Sequence, residues 1–303
     1  MPVVTSFGGT VELHGHRGAR GLRPENTLPG FAHAVEIGVH AVELDVGLTA
    51  DGVVVLNHDQ VLSAANLADT GPATPDDPLY PYVGRAIGEL TLAQVRTVDA
   101  GSRPPAAFAA TQRPAPGTPP PTLAEACALL GAAGVDLAVE LKTDPGWPVA
   151  AVAEFTAAVA GVLDGAGLTG RARLLAFDWR VLVAARACAP GLGRVALAER
   201  KTLAPGTAWL AGLPPEAPAE AALAIGATAL SPERHLVTPE LVLTAQALGL
   251  PVAVWTVNDP GEMAALVDLG VDAIVTDYPD RLRAVLSEYG LPLPAPVRVP
   301  AFS

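Results

Sequence analysis

Along the chain, short runs of β-branched and aliphatic residues alternate with longer segments whose apolar positions recur at helical spacing. That rhythm predicts a parallel sheet wrapped by helices. Candidate strands fall at 11–14, 40–46, 135–141, 173–177, 194–197, 228–230, 252–255 and 273–276. They number eight if the run at 53–56 is set aside as a hairpin excursion. Eight parallel strands with intervening helices predict an α/β fold, a closed (β/α)8 TIM-type barrel with a hairpin and a Pro-rich insertion after its second strand. An open doubly wound sheet is the alternative, but no Gly-x-Gly-x-x-Gly fingerprint follows a strand.

The excursion carries its own pattern. Val42-Glu43-Leu44-Asp45-Val46 alternates, so Glu43 and Asp45 share one face. Asp51-Gly52 ahead of Val53-Val54-Val55-Leu56 reads as a two-residue hairpin turn. Ala50 then faces Val53, and the same count sets Asp45 opposite His58. Taken alone, the pattern also describes a half-exposed hairpin whose polar face meets water.

Residues 61–121 break the rhythm with Gly71-Pro72, Tyr80-Pro81-Tyr82, Arg103-Pro104-Pro105 and Pro119-Pro120-Pro121. Such composition carries no long regular element, one helical patch at 90–98 aside. The segment is expected to fold over the barrel mouth as an insertion, the alternative being a loose surface excursion. The domain reading is therefore a barrel from 1–60 and 122–290, the insertion at 61–121 and a Pro-rich tail at 291–303.

Charge narrows the partners. With 19 Lys+Arg against 31 Asp+Glu the formal net charge is −12, and no basic block occurs. A nucleic-acid partner needs a cationic footprint, and standing attachment to anionic lipid needs one too. The mean hydropathy of +0.36 reflects Ala, Val and Leu. The apolar stretch from Val149 is interrupted by Glu154 and Asp164, so no membrane insertion is expected. No basic segment followed by an apolar run opens the chain, which points to cytoplasmic residence. Cys127 and Cys188 each sit in Ala-rich surroundings and read as buried free thiols rather than a disulfide framework. A small-molecule partner is what remains; the sequence carries no signal of oligomeric state.

The polar residues then acquire a common purpose. His16-Arg17 follows the first strand between glycines that let the backbone turn sharply, and Asn26 or Thr27 would cap the helix beyond. A basic dipeptide beside a capped helix start makes a phosphate grip. On the strand at 135–141, Ala138, Glu140 and Lys142 share one face, opposite Leu137, Val139 and Leu141. Charges facing into a buried strand are costly unless neutralised by a bound ion, the alternative being a plain Glu140–Lys142 salt bridge. Three carboxylates, Glu43, Asp45 and Glu140, suit a hard divalent cation, Mg2+ or Ca2+ rather than Zn2+. Two histidines, His16 and His58, suit proton transfer. The set reads as metal-assisted phosphodiester chemistry.

His16, Glu43, Asp45, Glu140, Lys142, Asp178, Trp255 and Asp277 fall at or near strand C-terminal ends, where such barrels build their sites. Asp178 and Asp277 are expected to cap the helices that follow. Trp255 either walls the ligand or fills the core. His14, His33, His40 and His235 are assigned to packing or surface.

At these residues the sequence resembles the glycerophosphodiester phosphodiesterases. The match comprises His16-Arg17-Gly18, Glu25-Asn26-Thr27, Glu43-Leu44-Asp45-Val46, Thr49-Ala50-Asp51-Gly52, His58-Asp59 and Glu140-Leu141-Lys142. It continues through Val254-Trp255-Thr256-Val257-Asn258 and the run from Gly270 to Pro279, in family order. The resemblance implies a barrel, a divalent cation, and hydrolysis of glycerophosphodiesters to glycerol 3-phosphate and an alcohol. It makes His16 and His58 the acid–base pair, Glu43, Asp45 and Glu140 the metal ligands, and Arg17 and Lys142 the phosphate contacts. One departure follows His58-Asp59, where many members continue with a leucine and an arginine–threonine run. Here Leu62 is followed by Ser63-Ala64-Ala65-Asn66-Leu67, which leaves substrate identity open. A phospholipase D-like or lyase-type enzyme acting on lysolipids, and a non-catalytic ligand-binding barrel, are the competing readings.

Overall fold

Eleven strands and nine α-helices occur among the described residues, 10–299, of the computed structural model. The strands are β1 (Glu12–Gly15), β2 (Ala41–Leu48), β3 (Val54–Leu56), β4 (Ala68–Asp69), β5 (Val98–Asp99) and β6 (Asp136–Leu141). They continue as β7 (Ala172–Ala176), β8 (Gly193–Ala198), β9 (Ala229–Pro232), β10 (Ala253–Val254) and β11 (Ala273–Thr276). The helices are α1 (Leu28–Ile37), α2 (Leu92–Val95), α3 (Leu123–Ala133), α4 (Val149–Gly165) and α5 (Arg180–Cys188). The rest are α6 (Pro218–Ile225), α7 (Pro239–Ala247), α8 (Pro260–Leu269) and α9 (Pro279–Glu288).

Eight strands pair in parallel in the order β10-β11-β1-β2-β6-β7-β8-β9. Parallel bridges Leu230–Val252 and Glu233–Trp255 bring β9 to β10 and close the ring. The fold is a (β/α)8 barrel. Every expected barrel strand is present, none displaced by more than two residues at either end. Outward-facing Leu13, Val42, Leu44, Leu137 and Leu174 pack with helix residues such as Phe31, Leu130, Val159 and Leu182 in one continuous core. Inside the barrel, Ala138, Leu175, Val195, Leu197, Ala229 and Ala273 form a second, smaller cluster. His14 is buried in this lower interior, 2.8 Å from Glu12.

The hairpin differs from expectation by one residue. β2 and β3 pair antiparallel with Val46 opposite Leu56 and Leu48 opposite Val54. Asp45 therefore faces Asn57, whose N–H donates to the Asp45 carbonyl at 3.2 Å, and not His58. The turn takes three residues because Thr49 closes it: its hydroxyl donates to Asp51 Oδ1 (2.6 Å) and accepts from Val53 N (2.9 Å). Gly52, at φ 78°, supplies the left-handed residue such a loop ends on.

Residues 61–121 carry only α2, β4, β5 and two short 3-10 turns as regular structure. Leu62, Leu67, Tyr82, Ile87, Leu90, Val95 and Val98 nevertheless form a small core with Val55 of β3. The segment is tied to the β1–α1 loop, since Thr111 Oγ1 donates to the Gly21 carbonyl (2.7 Å) and Gln112 Nε2 to the Arg20 carbonyl (2.7 Å). Beyond α9 the chain lies along the barrel's outside, with Leu291 and Leu293 against the main core and Val297 N donating to the Val35 carbonyl (3.2 Å). Residues 1–9 of the expected barrel domain and 300–303 of the expected tail lie outside the described residues.

Cys127 is buried, and burial pushes its thiol up to about 11. Cys188 is exposed, contrary to expectation, because it is the last residue of α5 and leaves the packed face. Among the described residues no helix is long and apolar enough to cross a membrane.

Candidate active site

The site begins in a strained turn. Arg17 (φ 50°) and Gly18 (φ 91°) reverse the chain directly after β1, and a Cβ on Gly15 would lie 2.1 Å from the Gly18 carbonyl oxygen. Only glycine there allows His16 to reach over the barrel mouth. The parallel register sets Gly15 beside Thr276, so His16 arrives next to Asp277 and its Nδ1 lies 2.6 Å from Asp277 Oδ1. Asn258 holds that carboxylate from behind, donating Nδ2–H to Oδ2 (2.7 Å) while its own Oδ1 accepts Asp277 N–H (3.0 Å). Asp277 does not cap α9, whose N-terminus has no side-chain cap; the imidazole takes its acceptor instead. Asp178 is not the cap of α5 either, since Trp179 flanks that helix and no side chain caps it; Asp178 accepts the Arg180 N–H (3.2 Å), and its Oδ2 pairs with the Arg180 guanidinium (2.6 Å).

Glu43, Asp45 and Glu140 meet inside the barrel, each buried, with carboxylate oxygens within 4.8 Å of one another. Alternation aims Glu43 and Asp45 inward, and parallel pairing of β2 with β6 sets Asp45 directly beside Glu140. Asn26 (φ 52°) clamps Asp45 from both sides, Nδ2–H donating to Oδ2 (2.9 Å) and Oδ1 accepting Asp45 N–H (3.1 Å). Thr27, not Asn26, is the cap of α1, accepting from Gly30 N.

Burial, with Asp45 and Glu140 so near, pushes the Glu43 carboxyl well above the usual carboxylate range. Burial together with Asp45 raises Glu140 against the pull of Lys142. Asp45 goes the other way: burial opposes ionisation, but Lys142 and Arg17 outweigh it and hold the group far below its ordinary value. Lys142 Nζ stands 3.0 Å from Asp45 Oδ1 and 2.5 Å from Glu140 Oε1. Arg17 donates its backbone N–H to Glu43 (2.9 Å), pairs through Nη1 with Glu25 (2.9 Å), and brings Nε to 3.2 Å from Asp45. Three crowded inward carboxylates, two of them raised and Asp45 held ionised, form a donor set that a divalent oxygen-seeking cation fits.

One cavity of about 430 Å3 joins these groups. His16, Arg17, Glu43, His58, Glu140 and Lys142 line one half. Leu175, Phe177, Leu197, Trp255 and Val275 line the other. His58 reaches the cavity from the end of the hairpin with Nδ1 on Asp59 Oδ1 (2.8 Å), which leaves Nε2 as its other ring nitrogen. Trp255 is half-buried on the wall, its indole N–H donating to the Ser231 carbonyl (2.9 Å) and its ring edge-on to Phe177 (centroids 5.4 Å, 77°). All eight expected site residues thus converge, Asp45 lying just beneath the lining. His235 is exposed and away from it.

The sequence matches the family model described as "Glycerophosphoryl diester phosphodiesterase family" over residues 16–281. The chain belongs to that family. Membership makes this phosphodiesterase a phosphoric diester hydrolase. It is 27% identical to the glycerophosphodiester phosphodiesterase of Caldanaerobacter subterraneus subsp. tengcongensis over 88% of this chain and 94% of that one. A solved structure of a putative glycerophosphoryl diester phosphodiesterase from Silicibacter pomeroyi superposes with TM-score 0.82 at 34% identity, covering 95% and 96% of the two chains. An Oleispira antarctica phosphodiesterase, solved in complex with sn-glycerol-3-phosphate, superposes with TM-score 0.70 at 26% identity, covering 92% and 97%.

Sequence reasoning missed the support around the phosphodiesterase site. Asp277 was assigned to a helix cap, and Asn258, Glu25 and Arg20 received no role. For Asp277 a signal existed, because the last strand of a closed barrel must neighbour the first, which brings residue 277 to residue 16. For Glu25 and Arg20 (Arg20 Nε to Glu25 Oε2, 2.6 Å) no spacing rule foretells the contact.

Proposed function

We propose that the protein hydrolyses glycerophosphodiesters to glycerol 3-phosphate and an alcohol, using Mg2+ or Ca2+ held by Glu43, Asp45 and Glu140. The observation that carries this is the meeting of three buried carboxylates with His16 and His58 at one cavity. When bound, the cation supplies positive charge that stabilises the phosphoryl oxygens.

His16 acts as the base. Burial holds its imidazole below the usual range, so it is neutral near pH 7, and Asp277 accepts its Nδ1–H and leaves Nε2 to take a proton. His58, its Nδ1 occupied by Asp59, presents Nε2 to protonate the departing alkoxide. Arg17 and Lys142 hold the phosphate, and Trp255 walls the glyceryl carbons. The hydroxyl next to the phosphoryl oxygen is the nucleophile that proximity favours; a cyclic phosphate would form, and water would open it with the histidine roles reversed.

Product analysis on a water-soluble glycerophosphodiester tests the reading. Glycerol 3-phosphate should appear with Mg2+ or Ca2+, stop on chelation and return on re-addition. Undiminished turnover in exhaustively metal-free enzyme removes the cation from the mechanism. His16→Ala and His58→Ala should each lower kcat by roughly 10²–10⁴, with His235→Ala close to wild type; equal losses at all three would reject the histidine assignment.

A further inference from the structure

The stretch between β1 and α1 holds two non-glycine residues in the left-handed region, Arg17 at φ 50° and Asn26 at φ 52°, and both serve the site. Such strain persists only where the surroundings over-determine it. β1 and α1 fix the two ends of the stretch, and residues outside the barrel fix its middle. Three consecutive residues of the 61–121 insertion donate to three consecutive carbonyls of this loop. Gln112 Nε2–H reaches Arg20 (2.7 Å), Thr111 Oγ1–H reaches Gly21 (2.7 Å) and Arg113 N–H reaches Leu22 (2.9 Å). Gln112 is buried, so its bond is shielded from competing water.

The same segment grips the other half of the His16–Asp277 pair. Phe108 is buried, its ring beneath the Arg20 guanidinium (4.8 Å to the centroid) and edge-on to Tyr278 (centroids 6.3 Å, 62°). Thr111 Oγ1 also lies 3.2 Å from the Tyr278 hydroxyl, and the Tyr278 ring carries Arg281 (3.7 Å). Tyr278 follows Asp277 in the chain, and the Asp277 carbonyl accepts Gly21 N–H (2.8 Å). Arg20, seated on Phe108, donates Nε–H to Glu25 (2.6 Å), which pairs with Arg17. It also brings Nη1 to 3.9 Å from Asp277 Oδ1, the oxygen that His16 uses. One short piece of the insertion thus touches both chain segments that carry the pair, which lie 261 positions apart. Segments free to slide past each other could not keep the 2.6 Å contact between Nδ1 and Oδ1, because a hydrogen bond weakens steeply with misalignment.

We propose that Phe108, Thr111 and Gln112 are positioning residues for the reaction, bracing His16 against Asp277, on the reading above in which His16 is the base. The insertion then contributes to turnover itself, beyond any cover it gives the cavity. A base displaced by about 1 Å costs up to roughly 10²-fold in rate. Arg17 and Lys142, the proposed phosphate contacts, keep carboxylate partners of their own and are not held by Gln112.

Two variants test the brace. Gln112→Leu keeps the volume and removes the donor; Phe108→Leu keeps the position apolar and removes the ring face. In metal-loaded full-length enzyme acting on a water-soluble glycerophosphodiester, each should lower kcat roughly tenfold or more and leave KM within about twofold. Gln94→Ala breaks comparable bonds inside the insertion, to Thr91 N (2.8 Å) and Asp77 Oδ2 (2.8 Å), and should leave kcat close to wild type. The ring-nitrogen NMR signals of His16, assigned by their loss in His16→Ala, give a second readout. Wild type should carry the proton on Nδ1, and both leucine variants should show mixed tautomers. A rise in KM at unchanged kcat would make the segment a substrate contact and overturn the inference. So would a lowered kcat with the His16 tautomer intact, an equal loss in Gln94→Ala, or wild-type kcat in both leucine variants. If His16→Ala turns over like wild type, the base assignment beneath the inference fails, and the inference with it.

Discussion

Two influences act on His16 in opposite directions. Burial lowers its proton affinity, while the Asp277 charge raises it. Asp277→Asn removes the second, so the imidazole should fall further below its ordinary range. A general base works in its neutral form, and the acid limb of the pH–kcat/KM profile should therefore move to lower pH. The rate itself should drop roughly 10²-fold or more, because the tautomer is no longer fixed. An unmoved acid limb would mean that His16 is not the base. The same variant reads out a stability term. Burial works to raise the Asp277 carboxyl, but His16, Asn258 and Arg20 outweigh it and hold the group at about 2, against an ordinary 3.8. A carboxylate depressed in the fold contributes stability that is fully present above its unfolded value and is lost as pH falls through the folded one. The gap corresponds to about 2 kcal/mol at neutral pH. Denaturant unfolding should show Asp277→Asn that much less stable at pH 7, with the difference shrinking steadily below pH 4. A constant difference across that range would assign the loss to packing.

Among the elements, the turn after β1 and the β2–β3 hairpin show how differently two glycines constrain the chain. At Gly15 an added methyl would strike a backbone oxygen, so Gly15→Ala must shift the loop that presents His16. We expect a loss of kcat of at least about 10²-fold, the cost of a misplaced acid–base group, with near-native far-UV circular dichroism. At Gly52 nothing lies within 4 Å, and only its positive φ resists a side chain. Gly52→Ala should cost about 1–2 kcal/mol in denaturant unfolding and leave kcat unchanged. The reverse pattern would show that the hairpin, and not the β1 turn, sets the site. The hairpin's existence was legible from Asp51-Gly52 between alternating runs. Its register was not, because the Thr49 side chain chose between a two- and a three-residue loop by hydrogen bonds that residue propensity does not encode.

For the whole molecule, the barrel gathers three carboxylates whose mutual repulsion Lys142 and Arg17 offset only in part. Glu43 is raised by burial and by Asp45 and Glu140. A carboxyl raised in the fold contributes stability present below its unfolded value and lost as pH rises through the folded one. Metal-free protein should accordingly lose thermal stability as pH rises past the usual carboxylate range. Mg2+ or Ca2+ at a hundredfold excess over Kd should restore about 2–3 kcal/mol, seen as a Tm increase of several degrees. Glu43→Gln with Asp45→Asn should abolish that increase. An undiminished increase in the double variant would place the cation elsewhere.

Local pattern alone determined a good deal about this chain. Period-two and period-3.6 alternation marked eight barrel strands and their helices, because burial of one face is a property of the segment itself. Residue types at strand ends and at the end of the hairpin marked Glu43, Asp45, Glu140, His16 and His58 as candidate site residues. Closure decided the rest. That Asp277 orients His16, that Asp45 lies beside Glu140, and that Arg180 holds the Trp147 carbonyl all depend on which strand neighbours which and in what register. These contacts join residues 261, 95 and 33 positions apart along the chain, and no local propensity spans such distances. Exposure of Cys188 was settled the same way, by where α5 leaves the packed surface. The sequence specified what each side chain is able to do, and the closed ring of strands decided which of them could do it together.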